Sequence, residues 1–253
     1  TFRCTHMRPN ISQTPSVNAP YGTECRELFH APKGSKLVGA DLSGLELRCL
    51  AHYMARFDDG AYSDEVVNGD VHTANQKAAG LPTRNNAKTF IYGFLYGAGA
   101  AKIGSIVGGS EAEGKKLISK FMKATPALKM LREAVVRSVK AKGHLKGLDG
   151  RTLPIRSDHS ALNMLLQSAG SILCKRATVI LHENLTRLGY VFGKDYALVA
   201  HVHDEVQLIT REEIAEIVGQ QAVTAFEEAG AYYDFNCPIT GEFKVGQTWA
   251  DTH

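Results

Sequence analysis

Hydrophobic and polar positions along this chain alternate between strand-like runs and helical stripes. The stretch before residue 31 sets Pro9, Pro15 and Pro20 among polar residues and reads as an extended, irregular lead-in. Residues 36–42 (KLVGADL) form an apolar run of strand length that ends on an aspartate, and Ser43-Gly44 then turns the chain. Leu47, Leu50, Ala51 and Met54 fall at the i, i+3, i+4, i+7 positions of one helix face. Residues 58–70 read as a polar connection, and Pro82-Thr83 opens a helix that runs to Gly97. Ser110 with Glu113 predicts a capping box for a helix through Met122, and Pro126 starts another through Lys140. Gly143, Gly147, Gly150 and Pro154 mark a β-ribbon or loop over 143–156. Residues 160–188 read as a long helix with Leu162, Leu165, Leu166, Ala169, Ile172 and Leu173 inward. Residues 196–210 split into two apolar runs about His203-Asp204, a hairpin pattern. Thr210 with Glu213 predicts a second capping box, ahead of a helix that gathers Ile214, Ile217, Val218, Ala222 and Ala225 on one face. The fold class is therefore α+β.

Composition narrows the setting. With 253 residues, 44% hydrophobic and 22% charged, the chain has enough apolar content for a folded core, which excludes disordered and collagen-like classes. No uninterrupted apolar run approaches the ~20 residues of a membrane span, so no membrane partner is expected. The five cysteines are scattered without a Cys-x-x-Cys pair, which argues against a zinc ribbon and fits a reducing, cytoplasmic location. The sequence opens on Thr1-Phe2-Arg3-Cys4, with neither an initiator methionine nor a signal peptide, and reads as a processed or excised piece. Net charge is only +3, but residues 102–156 hold 13 Lys/Arg against four Asp/Glu, whereas residues 195–253 hold two against 11. The middle is suited to a polyanion and the tail to cations; solvated helix faces explain the same blocks equally well.

Several residues carry chemistry of their own. Asp41 ends the first strand-like run and Asp204 tips the hairpin, and carboxylates offered from adjacent strands suit Mg²⁺, a hard ion that takes oxygen ligands. Taken singly, each is also an ordinary turn or capping aspartate. His201-x-His203-Asp204 offers a zinc alternative without an evident third ligand. Arg84, Lys88, Tyr92 and Tyr96 recur every four residues and so drift slowly along one helical stripe, cations first and aromatics after. That order suits a triphosphate followed by a sugar and base. Ser43-x-x-Glu46 is itself a capping box, and Asn163 and Gln167 are two amides on an otherwise apolar helix.

In this order the segments resemble the family A (polymerase I-like) DNA polymerases, nearest to the replicative enzymes of short-tailed phages. Asp41-Leu42-Ser43-Gly44-Leu45-Glu46-Leu47-Arg48 is similar to motif A, Arg84-x3-Lys88-x3-Tyr92-x3-Tyr96-Gly97 to motif B, and His203-Asp204-Glu205 to motif C. Gly69-Asp70-Val71-His72-Thr73 resembles the stretch whose histidine touches the incoming triphosphate. Asn163-x3-Gln167 and Arg3 resemble the groups that track the primer–template minor groove. The resemblance implies a right-hand architecture with an antiparallel palm sheet and inserted helical fingers: palm in 1–57 and 159–253, fingers in 58–158, and the thumb and exonuclease domain missing. It implies template-directed addition of dNTPs to a primer 3′-hydroxyl with two Mg²⁺ ions held by Asp41, Asp204 and the Leu42 carbonyl. Lys88 and Glu205 join the two aspartates as catalytic groups. Glu46, His72, Arg84, Lys88 and Tyr92 take the dNTP, while Arg3, Tyr96, Asn163, Gln167 and His203 take DNA. The implied partners are primer–template DNA, dNTPs and an upstream chain or domain. Gly44, Tyr92 and His159 depart from the bacterial pattern, and the minor-groove role of the arginine that His159 replaces is not expected here. A non-catalytic nucleic-acid-binding fragment and a metal-dependent phosphohydrolase are the competing readings.

Overall fold

The computed structural model describes all 253 residues. In chain order the helices are α1 (Gly22–Glu27), α2 (Leu45–Asp58), α3 (Ala61–Asn68), α4 (Val71–Ala79), α5 (Arg84–Leu95), α6 (Ala100–Ser105), α7 (Glu111–Ala124), α8 (Pro126–Lys142), α9 (Asp158–Arg187) and α10 (Ala215–Tyr232). The strands are β1 (Ser35–Leu42), β2 (His144–Lys146), β3 (Thr152–Pro154), β4 (Tyr196–Val202), β5 (Glu205–Arg211) and β6 (Gly241–Gly246). Contacts divide the chain into one unit of residues 46–169 with Thr1, and another of residues 2–45 and 170–253.

The second unit is built on an antiparallel sheet of order β4-β5-β1-β6. β1 is an interior strand, which is why its sequence reads as a near-continuous apolar run: Leu37, Val38, Ala40 and Leu42 are all buried. Leu37 packs with Ala31 and Trp249. α10 lies against the sheet so closely that a Cβ on Gly219 would overlap the ring of Phe243. β4 and β5 are joined by the two residues His203-Asp204 alone, since Val202 pairs with Glu205.

The first unit is helical apart from the antiparallel β2-β3 ribbon, which forms where the glycines of 143–156 predict it. One face of α5 buries Ala87, Phe90, Ile91 and Leu95. Phe90 meets Phe121 of α7 edge-on at 5.1 Å, and Phe94 meets the same ring at 5.6 Å. This aromatic cluster fixes which way the opposite, polar face of α5 points. α6 and α7 approach at Gly114, where any side chain would collide with the Ala100 carbonyl. The predicted capping box of α7 forms with both of its hydrogen bonds.

Three expectations need correction. Residues 58–70 contain a helix, α3, whose start is secured by the Asp58 carboxylate accepting from Gly60 N and Tyr62 N at 3.1 and 3.2 Å. The irregular lead-in contains the short α1. Thr210 does not cap a helix: it continues β5 opposite Lys36, its hydroxyl buried without a partner, and α10 starts only after a 3₁₀ turn. Separately, α9 is long and apolar enough to cross a membrane by length and composition alone, and 67% of its most apolar stretch is buried in this fold, as in a core helix. Polar residues such as Asn163, Gln167 and Ser171 break every continuous run in it, which is why a run count passes over the helix.

Candidate active site

The sheet brings three carboxylates abreast. Asp41 on β1 lies opposite Glu205 of β5 on one side and Glu242 of β6 on the other. Cross-strand partners stand about 5 Å apart on one face, and like charges there repel. Asp204 joins them, because its backbone carbonyl accepts the Leu42 N–H at 3.2 Å and so anchors the hairpin tip beside the end of β1. His203, exposed in the same turn, adopts φ 61°, a left-handed conformation that usually falls to glycine at the first turn position. Such strain at a histidine is held in place by the flanking ladder.

Glu205 differs from its neighbours. It is buried, and one oxygen of its carboxylate accepts from Gln207 Nε2 at 2.6 Å, Trp249 Nε1 at 2.7 Å and His253 Nε2 at 3.0 Å. Burial pushes this carboxyl up, but the bonds from His253, Gln207 and Trp249 together outweigh it and hold the group below the usual carboxylate range. Glu205 is thus an ionised, hydrogen-bonded element of the sheet opposite Asp41.

The donor set can be tested against a metal. Asp41 and Asp204 with the Leu42 backbone supply hard oxygen ligands, but no three His, Cys, Asp or Glu side chains converge in a way that could hold an ion by themselves. Too few protein ligands for a permanently held ion is the pattern expected of Mg²⁺, which keeps waters and takes the rest of its shell from phosphates. The residues therefore fit a divalent ion of that kind. The zinc alternative fails on ligand count: the His201 carbonyl lies 3.1 Å from His6 Nε2, and burial lowers the half-buried His201 ring in pKa, but no third ligand joins His201 and His203.

The helical unit carries a group of cations of its own. Asp70 caps α4 by accepting from the His72 and Thr73 N–H groups, and it also pairs with Arg84 at 2.8 Å. The Arg84 hydrogen bond holds the Asp70 carboxyl well below its usual range. Burial, aided by the Arg84 and Lys88 charges, pushes His72 below the usual histidine range, so its ring is neutral at pH 7. His72 Nδ1 is buried with no partner, and the ring lies 6.3 Å from that of Tyr92. Lys88 is exposed on the polar face of α5. At the end of that helix the Tyr96 hydroxyl donates to the Glu46 carboxylate at 2.7 Å. Gly93 is not crowded by this fold, since a Cβ there would make only ordinary contacts of 3.5 Å or more.

The remaining predicted residues lie as follows. Asn163 and Gln167 sit half-buried on α9, their amides without hydrogen-bond partners. Arg3 is half-buried next to Phe2, whose carbonyl accepts from Ser171 Oγ at 2.6 Å and from Lys175 Nζ. His159 is exposed. Sequence reasoning did not single out Glu242, Trp249, His253 or the second role of Asp70. Only Asp70 had a local signal, as a capping residue before Val71; the others become neighbours of Asp41 and Glu205 through pairings across the sheet.

Comparison with known proteins shows the family. The profile described as DNA polymerase family A matches residues 1–251, and the chain belongs to that family. It is 48% identical to the DNA-directed DNA polymerase of Escherichia phage T7 and 47% identical to that of Enterobacteria phage T3, in each case over 100% of this chain. The chain spans 40% of the length of each of these phage proteins. The thermostable DNA polymerase I of Thermus aquaticus is 27% identical over 98% of the chain. In fold, the chain matches the POL domain of Pol1 from M. smegmatis, solved with DNA primer-template and dNTP, with a TM-score of 0.85, 20% identity and 98% of this chain covered, against 46% of that one.

Proposed function

We propose that this chain carries the catalytic portion of a template-directed DNA polymerase, with palm in residues 1–57 and 159–253 and fingers in 58–158. The observation that carries the reading is the acidic row at Asp41, with Asp204 anchored beside it by the Leu42–Asp204 backbone bond. Asp41, Asp204 and the Leu42 carbonyl would hold the two divalent ions, and Glu205 would keep β1 and β5 in register beneath them. Bound there, two Mg²⁺ ions would lower the pKa of the primer 3′-hydroxyl and offset charge on the departing pyrophosphate. Arg84 and Lys88 meet the triphosphate as cations. His72, neutral with an unpartnered ring nitrogen, can donate one hydrogen bond to a phosphate oxygen. Tyr92 faces the sugar and base, and Tyr96 stacks at the template position. The amides of Asn163 and Gln167, with Arg3 and His203, contact the primer–template. A thumb and an exonuclease belong, in this proposal, to a further chain or domain.

The reading is tested by offering each of the four dNTPs singly to a primed template. Addition of the complementary nucleotide alone, with pyrophosphate released, supports it. Duplex binding without addition would reduce the chain to a binding fragment, and inorganic phosphate released without template would indicate a phosphohydrolase.

Glu46 is proposed to exclude ribonucleotides by filling the space of a 2′-hydroxyl, steadied by the Tyr96 hydroxyl. Glu46→Ala is expected to raise the ribonucleotide-to-deoxynucleotide ratio of kcat/KM, and Tyr96→Phe to raise it less. If Glu46 only caps α2, its loss instead costs about 0.5–2 kcal/mol of stability with sugar selectivity unchanged.

A further inference from the structure

We infer that the outer face of α8 is a binding groove for single-stranded nucleic acid, which takes the unpaired template strand by its phosphates. This rests on the polymerase reading and adds a site to it. Lys129, Arg132, Val136, Arg137 and Lys140 recur at the spacing of one helix face, beside the stripe that buries Leu128, Leu131 and Val135. With Met122 of α7 they line an open groove of about 570 Å³.

Its charge is uncompensated. Glu133 is the one acid in the groove, and it approaches only Lys129, at the limiting distance of 4.0 Å. Arg132, Arg137 and Lys140 make no ion pair, so the groove holds a concentrated positive field that repels itself until an anion enters. The next cluster, Lys115, Lys116, Lys120 and Lys123 on α7, includes only one paired cation, Lys115 with Glu111.

One feature sets the length of strand the groove takes, and a second disfavours an acidic peptide. From Lys129 to Lys140 the helix advances about 16 Å, enough for roughly five phosphates of a stacked strand. The apolar floor is only Met122 and Val136, with no pocket for the buried anchors that give peptide complexes their energy. The groove also has a defined entry. Arg132 lines both it and a cavity of about 220 Å³ beside Gly97, Ala98, Gly99 and His159. That cavity is lined on both sides of Tyr96 in sequence, by Phe94 and Leu95 before it and Gly97 after it, and Tyr96 is proposed to stack at the template position. A strand leaving Tyr96 therefore passes Arg132 into the groove. The groove has no aromatic platform, so it grips backbone without reading bases, as copying any sequence requires.

The test is binding, without divalent ions, of primer–templates that are blunt or carry a 5′ template overhang of about six nucleotides, followed over a range of salt. The full chain is expected to bind the overhang form about tenfold more tightly than the blunt form. Arg132→Gln/Arg137→Gln/Lys140→Gln should lose that difference, lower the salt slope on the overhang form by about 2, and leave blunt binding unchanged. Lys115→Gln/Lys116→Gln/Lys123→Gln, with the same loss of charge outside the groove, should keep the overhang preference. Overhang preference retained by the groove variant, or lost equally by the α7 variant, would overturn the proposal. So would a poly-glutamate peptide that binds the groove more tightly than the overhang does. Because no nucleotide is added in this assay, its outcome is separate from whether the chain polymerises.

Discussion

Asp41→Asn and Asp204→Asn are each expected to cut nucleotide addition by several orders of magnitude while leaving primer–template binding close to that of the unaltered chain. Asparagine has nearly the same shape and still accepts a hydrogen bond, so the change removes charge and little else. The stability readout separates function from structure. Asp41 stands between Glu205 and Glu242 on one sheet face, and like charges directly opposite are destabilising. Removing the central charge should therefore leave the melting temperature unchanged or raise it. An inactive and equally or more stable protein is the signature of strain kept for chemistry. If Asp41→Asn lost stability together with activity, the row would be a structural feature.

Lys88→Ala is expected to lower kcat by about 10²–10³-fold, the usual cost of removing one preorganised group that stabilises transition-state charge. The substitution is otherwise mild. Lys88 is exposed on α5, and alanine is the best helix former, so the helix and its buried Phe90 face should be unaffected. Lys88→Arg keeps the charge and should recover part of the rate. Single-turnover addition on a primed template measures both; an unchanged rate in Lys88→Ala would remove Lys88 from the reaction.

Much of the frame was legible in the sequence because local chemistry and tertiary packing agree there. The run before Asp41 is a buried interior strand, Ser110 and Glu113 cap α7, and the break at His203-Asp204 is a two-residue turn. Legibility fails where a local signal is outweighed or absent. Thr210 and Glu213 have capping spacing, but pairing with β1 extends the strand through Arg211. α3 is only eight residues long and depends on a carboxylate just outside it, Asp58, for its start. The polar stripe Arg84–Lys88–Tyr92–Tyr96 was visible, but the Asp70 clamp on Arg84 was not, since the two lie 14 positions apart and meet only when α4 and α5 pack. In the same way Glu242, 201 positions from Asp41, is placed beside it by β6 alone.

The central claim is that Asp41 and Asp204 together hold the divalent ions of nucleotide transfer. The most direct measurement is Mn²⁺ binding, followed by electron paramagnetic resonance, on the chain with a 3′-deoxy-terminated primer–template and the complementary dNTP. The account predicts Mn²⁺ bound beyond what the nucleotide alone takes up, and loss of that binding in Asp41→Asn and in Asp204→Asn. The same amount of bound Mn²⁺ in the unaltered chain and both variants would contradict it.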